Sequence, residues 1–124
     1  MSTEDNKQAA MDGYEAFGKG DIESAMAQIA DSIEWVVGGD SAVTGIYHGK
    51  EELAGFWLKL AEKQFQVEPG EFLADGDKVA VLTKDSVGVS EVRTVDVLTY
   101  NSDGELIHFE SFGGEALLNE VYPK

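Results

Sequence analysis

The clearest alternation of apolar and polar residues lies in the last third of the chain, between Lys78 and Phe112. Three short runs there are rich in β-branched residues, as expected of strands, and turn residues separate them. The Asp-Gly pair at 103–104 suits the positive φ angles of a tight hairpin. The pattern predicts three consecutive antiparallel strands that form the wall of a ligand cavity, at residues 78–84, 91–100 and 105–112.

Asp96 interrupts the apolar pattern of this block. It lies between two valines in the middle of the longest apolar strand, on the face that also carries Thr94 and Leu98. A buried carboxylate is costly unless it has hydrogen-bonding partners or a function. We therefore predict that Asp96 is buried, faces the cavity and has a raised pKa, whereas Arg93 points to the opposite face.

The first half of the chain has helical periodicity instead. Ser2 or Thr3 can cap the first helix, which ends near residues 18–20 and turns inward Ala10, Tyr14 and Phe17. Asp21 caps a second helix, whose inward positions are Ile22, Ala25, Met26 and Ile29. A third helix begins at Gly49, and its buried stripe comprises Leu53, Phe56, Trp57, Leu60 and Gln64.

Shorter apolar runs between and after these helices predict further strands at residues 33–37, 42–47 and 65–74. The last of them is interrupted or bulged at Pro69-Gly70. The order of elements is helix, helix, two short strands, helix and four long strands, which is typical of an α+β fold. We expect residues 1–124 to form a single domain, with three helices of the N-terminal half packed on the concave face of a curved antiparallel or mixed sheet.

Charge and composition exclude several classes of function. Nine Lys and Arg residues against 24 Asp and Glu residues give a formal net charge of −15, which repels phosphate groups, so we expect neither a nucleic-acid nor a membrane partner. The chain has no cysteine and two histidines without short spacing, so no metal site is predicted. The polar, acidic N-terminus is unlike a signal peptide, and no apolar run reaches the ~20 residues of a membrane span. We expect a cytoplasmic protein.

Four segments of the chain resemble one known group of proteins. They are YEAFGKGD at 14–21, DSIEW at 31–35, GIYHGK at 45–50 and DGELI at 103–107. They resemble the SnoaL-like group of the nuclear transport factor 2-like superfamily, which includes ketosteroid isomerase, limonene epoxide hydrolase, scytalone dehydratase and polyketide cyclases. The resemblance implies a cone-shaped, cystatin-like α+β barrel with an interior pocket, commonly a homodimer through the outer sheet face.

The resemblance to ketosteroid isomerase also implies roles for individual residues. Asp96 corresponds to the protonated aspartate of that enzyme's oxyanion hole, an acid that an apolar site keeps neutral. The position nearest to its oxyanion tyrosine is Gly13 or Tyr14, depending on a one-residue gap, and Tyr14 is the candidate for that role. Val36 stands where the isomerase has its aspartate base, so a base has to come from elsewhere. The candidates for that base are Glu34 first, and then Asp85 and His48. In limonene epoxide hydrolase the catalytic positions correspond to Glu34, Val36 and Ser111, and that catalytic set is not retained.

Period-two alternation in the strands assembles a pocket face of mostly apolar residues with a few polar groups, as in a small-molecule site. The strands contribute Val79, Val81, Thr83, Asp85, Thr94, Asp96, Leu98, Tyr100, Ile107, Phe109 and Ser111. The helices close the pocket with Tyr14, Phe17, Phe56 and Trp57. Its mouth is lined either by Trp35 or by the neighbouring Glu34 and Val36, and the pattern leaves both open. Plain core packing is the alternative for the apolar members, and a structural hydrogen bond is the alternative for Asp96.

Two functions of different classes fit these residues, and whether the chain is an enzyme stays open between them. The first is acid/base isomerisation, cyclisation or dehydration of a hydrophobic, cyclic carbonyl compound without a cofactor. Its catalytic residues would be Asp96, Glu34 and Tyr14. The second is a non-catalytic ligand-binding or dimerisation module that has lost the base. A second apolar face on the sheet predicts a homodimer through its outer side, at Ala80, Leu82, Val95 and Val97.

Overall fold

In this computed structural model, which describes residues 2–124, two helices and two strands are followed by a helix, four strands and a last helix. The helices within that range are α1 (Thr3–Gly18), α2 (Ile22–Ala27), α3 (Gly49–Glu62) and α4 (Glu115–Val121). The strands are β1 (Ile29–Val37), β2 (Gly45–His48), β3 (Gln66–Asp75), β4 (Lys78–Val87), β5 (Ser90–Tyr100) and β6 (Leu106–Phe112). The predicted α+β architecture is confirmed, and the C-terminal helix α4 is an additional element that was not predicted from the sequence.

The strands of the described residues form one six-stranded sheet in the order β2-β1-β6-β5-β4-β3. All neighbours are antiparallel except β1 and β6, which run parallel, so the sheet is mixed as expected. The expectation of a barrel is wrong in one respect, because the sheet is open and β2 and β3 are its edges. Helix α1 packs mainly against β3 and α2, and α3 packs against β1 and β2.

Local sequence explains where the helices begin. The Ser2 hydroxyl accepts a hydrogen bond from the backbone N–H of Asp5, and the Asp5 carboxylate accepts one in return from the Ser2 N–H, which is a capping box. The Asp21 carboxylate caps α2 by accepting from the backbone N–H of Ser24. Both caps confirm the predicted helix starts.

Several boundaries and orientations predicted from periodicity are wrong. Helix α2 ends at Ala27 and Ile29 opens β1, so that strand is longer than predicted, while Ile22 is 42% exposed. Strand β2 is shorter than predicted because residues before Gly45 form a loop. Gln64 is exposed and lies beyond the end of α3 with φ of 57°, a left-handed conformation that cannot continue the helix.

The register is irregular between β1 and β6, between β3 and β4 and between β5 and β6, and the last two irregularities bear on predictions made from the sequence. The register of β3 shifts between Pro69 and Phe72, as the Pro-Gly pair predicted. Between β5 and β6, Thr99 is paired with His108 but Tyr100 is paired with Leu106, so Ile107 is an extra residue on β6. The predicted inward position of Ile107 is therefore wrong, because Leu106 takes the cavity side in its place.

The core lies between the sheet and the helices. Its largest fully buried side chains are Ile33, Leu53, Val43, Val79 and Val81. Four of the five predicted stripe positions of α3 are buried, at Leu53, Phe56, Trp57 and Leu60. Within residues 2–124, no helix combines the length and the apolar character needed to cross a lipid bilayer.

Candidate functional site

A cavity of about 110 Å³ lies between α1, α3 and the sheet. Its walls are apolar for the most part, and its polar side chains belong to Tyr14, Gln28, Asp96 and Tyr100. We call it the first cavity. Sequence reasoning predicted several of its lining residues, namely Phe17, Trp35, Trp57, Leu98 and Phe109.

A second cavity of about 80 Å³ continues from the first toward α4. The two share the lining residues Trp35, Leu60, Val67, Asp96 and Phe109. The second cavity is more acidic, because Asp85 and Glu115 line it as well as Asp96. Neither cavity is lined by a lysine, an arginine or a histidine.

Aromatic rings form the boundary between the cavities and the helices. The rings of Trp35 and Phe109 stack with centroids 3.6 Å apart and an interplanar angle of 10°. Trp57 meets Trp35 edge to face at 5.8 Å and Phe17 at 5.1 Å. Trp35 lines both cavities and its neighbour Val36 lines the second, whereas Glu34 lines neither, so the two predicted alternatives for the mouth are each met in part.

Asp96 and Tyr14 meet at the wall of the first cavity. The Tyr14 hydroxyl donates a short hydrogen bond to Oδ2 of Asp96, and the Asp96 residue is only 4% exposed. Burial raises the pKa of Asp96, while hydrogen bonds from Ser111, Tyr14 and Thr94 partly oppose this rise. The predicted burial, inward orientation and raised pKa of Asp96 are confirmed, and Arg93 is exposed on the other face as predicted.

The tyrosine hydroxyl keeps its proton at neutral pH. Burial in the first place, and then the neighbouring charge of Asp96, raise the pKa of Tyr14 well above its ordinary value. Burial also raises the pKa of Tyr100, whose ring lines the same cavity. Tyr14 is therefore a neutral hydroxyl in this environment, which can donate its one hydrogen and accept a hydrogen bond but does not serve as a phenolate base.

Asp85 is the second buried carboxyl group of the site. It lies two residues after Thr83 on β4, and period-two alternation turns both side chains inward. The Thr83 hydroxyl donates to Oδ1 of Asp85 over 3.2 Å. Burial and the charge of Asp96 raise the pKa of Asp85 to about 7, which is suited to accepting or releasing a proton at neutral pH.

The structure separates the three candidates for a general base. Glu34 lines neither cavity, and its Oε1 lies 3.0 Å from Nδ1 of His108 on the outer side of the sheet. The prediction that Glu34 faces the pocket is therefore wrong, because the alternation of β1 turns Trp35 inward instead. His48 is exposed at the start of α3 and lines neither the first nor the second cavity, so Asp85 is the candidate that borders one of these two cavities.

The other residues that the sequence predicts to bind a ligand lie either at the second cavity or in the core. The second cavity is lined by Val36, Phe56 and Ser111. Val81 and Thr83 are buried but line neither cavity, so they support the site from behind. The described residues contain no group of three or more His, Cys, Asp or Glu side chains that could hold a metal ion.

Helix α4 contributes lining residues that sequence reasoning missed. Gly114, Glu115 and Leu118 border the second cavity. The signal was present, because Leu117, Leu118 and Val121 have helical spacing after a Gly-Gly pair. A side chain at Gly114 would come within 3.2 Å of the Thr94 methyl group, so the missing side chain lets α4 approach β5 closely.

Comparison with known families supports the resemblance noted in the sequence. Residues 11–109 match the model of the SnoaL-like domain. The chain belongs to the SnoaL-like domain family. No curated protein sequence matches this member of the family.

Solved structures show that this SnoaL-like chain has a widely used fold. It is 26% identical to an NTF2-like protein from Burkholderia thailandensis E264, with a TM-score of 0.84 over 97% of this chain and 96% of that chain. It is 22% identical to TerC co-crystallised with polyporic acid, with a TM-score of 0.83 over 94% and 97% of the two chains. A protein of Kribbella flavida DSM 17836, provisionally called a ketosteroid isomerase, is 19% identical with a TM-score of 0.78 over 90% and 78% of the two chains. At 22% and 19% identity the likeness extends to the fold alone.

Proposed function

We propose that the chain binds a hydrophobic, cyclic carbonyl compound in the first cavity and catalyses its isomerisation, cyclisation or dehydration by acid/base chemistry. One observation carries the proposal: the Tyr14–Asp96 pair lies in the wall of a mostly apolar cavity, and a second carboxyl group, that of Asp85, lines the adjoining cavity. Apolar walls with a few convergent polar groups favour a small molecule over a macromolecule.

Tyr14 and Asp96 are suited to stabilising negative charge that develops on a substrate oxygen. Tyr14 retains its proton, and the raised pKa of Asp96 favours the neutral carboxyl group over the carboxylate. The one hydroxyl hydrogen of Tyr14 is donated to Asp96 Oδ2, so a ligand oxygen beside the pair would accept a hydrogen bond from the neutral Asp96 carboxyl group, or from Tyr14 where the ligand displaces Asp96 as its acceptor. Such donors are most effective in a site that excludes water, because the local dielectric constant is low.

Asp85 supplies the base in this proposal. Its pKa of about 7 leaves a substantial fraction of the carboxylate at neutral pH, and it borders the second cavity, which meets the first at Asp96. A substrate that spans both cavities would present its oxygen to Asp96 and a neighbouring C–H bond to Asp85.

A direct experiment follows isomerisation of 3-cyclohexenone to its conjugated isomer by ultraviolet absorbance, with deuterium incorporation from D₂O measured by NMR. We expect both reactions above the buffer rate, and a loss of roughly 100-fold or more in Asp85→Asn and Asp96→Asn. Glu34→Gln is the matched control and should keep the activity, because that carboxylate lies outside both cavities.

The alternative is a binding module without catalysis, and it is favoured by Val36 at the position expected of a base. Trp35 and Trp57 border the first cavity, so binding of 2-naphthol can be followed by tryptophan fluorescence. Saturable binding without turnover or deuterium exchange would support the module. Absence of both binding and exchange would contradict the use of the cavity for small aromatic or cyclic ligands.

A further inference from the structure

Four buried side chains form one continuous line of hydrogen bonds, in which Thr83 and Thr94 connect Asp85 to Asp96. Thr83 donates to Asp85 Oδ1 over 3.2 Å, and Thr94 donates to Asp96 Oδ1 over 3.4 Å. The two threonine hydroxyls contact each other directly, as expected of residues paired across β4 and β5. All four residues are less than a tenth exposed, with Thr83 at 5% and Thr94 at 4%.

The number of hydrogens in this line determines its charge. It contains three oxygen–oxygen contacts, whereas the two threonine hydroxyls supply only two hydrogens. If both carboxyl groups were ionised, each threonine would donate to its own carboxylate and no hydrogen would remain between the two hydroxyls. A single carboxyl proton fills the third contact, so the line is satisfied when one of the two acids is protonated.

We propose that Asp85 and Asp96 share one proton through the hydroxyls of Thr83 and Thr94, so that the two carboxyl groups exchange protonation states. In one state the Asp85 proton is donated to Thr83, the Thr83 hydrogen to Thr94 and the Thr94 hydrogen to Asp96. Moving each of the three hydrogens to the other side of its contact yields the second state, in which Asp96 carries the proton and Asp85 the charge. No atom is gained or lost.

Few other titratable groups lie close to the four residues that share the proton. The other titratable groups that face it are Tyr14 from α1, Tyr100 from β5 and Glu115 from α4. Helix α3 and strand β3 contribute apolar residues, and the histidine of β6 points outward. Among residues 2–124, no lysine, arginine or histidine lines either cavity to hold both carboxyl groups in the ionised state.

A shared proton has a consequence for catalysis that rests on the proposed function. Asp85 removes a proton from a substrate carbon, and Asp96 gives its own proton to the substrate oxygen. The line then carries the proton from Asp85 back to Asp96, so that the carbonyl compound has become an enol and the protein has regained its starting state. Thr83 and Thr94 are positioning residues in this scheme, since they act through the two acids.

Carboxyl ¹³C NMR of aspartate-labelled protein tests proton sharing without any substrate, so its outcome is independent of turnover. We expect Asp85 and Asp96 to titrate with the same two midpoints, and to retain about one proton between them in the interval. Two ionised carboxyl groups at pH 6 would overturn the proposal.

Variants of Thr94 test the role of the hydroxyl groups. Thr94→Ser keeps the hydroxyl and should titrate like the parent protein, while Thr94→Val should give Asp85 and Asp96 separate midpoints. Ser111→Ala removes a hydrogen-bond donor of Asp96 that is not part of the threonine line. The shift that it causes in the titration midpoint of Asp85 therefore measures the response of Asp85 to a change in the ionisation of Asp96 alone. If the titration midpoint of Asp85 moves by the same amount in Ser111→Ala as in Thr94→Val, proton transfer through the threonines is contradicted. It is also contradicted if Thr94→Ser and Thr94→Val change the midpoints of Asp85 and Asp96 to the same extent. Thr83→Val and Thr83→Ser provide the same comparison if Thr94→Val does not fold.

Discussion

The Tyr14 hydroxyl donates its hydrogen bond to Oδ2 of Asp96 and joins α1 to β5 across 82 positions of sequence. We expect Tyr14→Phe to lower the free energy of unfolding by about 1 kcal/mol, because it removes one buried hydrogen bond but keeps the ring that packs against Phe72. The pKa of Asp96 should rise further, since this bond favours the carboxylate. Urea unfolding and carboxyl NMR measure the two effects. An unchanged Asp96 titration would contradict the hydrogen bond.

Asp85 should make the protein less stable as the pH rises. Its pKa is about 7 in the folded chain against an ordinary value of 3.8, so the folded state binds more protons between these values. Stability therefore falls as the pH rises through this range, by up to roughly 4 kcal/mol from this group. Asp85→Asn should flatten the curve of unfolding free energy against pH between 4 and 7. Asp103→Asn, at an exposed turn residue, is the control and should keep the parent slope.

Gly113 joins β6 to α4 with φ of 99°, and an added Cβ would lie 3.0 Å from the backbone oxygen of Arg93. Gly113→Ala should destabilise the fold by roughly 1–3 kcal/mol, because both the backbone angle and the contact are unfavourable. Gly88→Ala has a similar left-handed backbone but open space around the new methyl group, so its cost should be smaller, about 1 kcal/mol. Thermal unfolding compares them, and equal costs would contradict the close approach of the backbone.

The outer face of the sheet carries exposed apolar residues that we propose as the homodimer interface. Leu82 is 38% exposed and Phe112 is 48% exposed, and both are paired with Val95 across the strands. Leu82→Glu would place two charges in a two-fold interface and should yield monomers by light scattering. Val89→Glu, at a fully exposed hairpin tip, should leave the oligomeric state unchanged. A monomeric parent protein at micromolar concentration would contradict this interface.

Local periodicity determined much of the site before the fold was known. The inward position of Asp96 and the outward position of Arg93 follow from alternation within β5, because successive side chains of a strand point to opposite faces. The buried stripe of α3 follows in the same way from helical spacing at Leu53, Phe56 and Trp57. Such patterns depend only on neighbours in the chain.

Only the tertiary structure decided which groups meet in the site. A one-residue bulge in β6 places Leu106, and not Ile107, on the cavity side of the sheet. On β1, Trp35 points inward and Glu34 points outward. The pairing of Tyr14 with Asp96 depends on how α1 packs across the sheet. The contact between Thr83 and Thr94 depends on the register of β4 against β5, in which a shift of one residue would turn either side chain to the other face. Register and packing arise from contacts distant in sequence, and for that reason no local pattern specifies them.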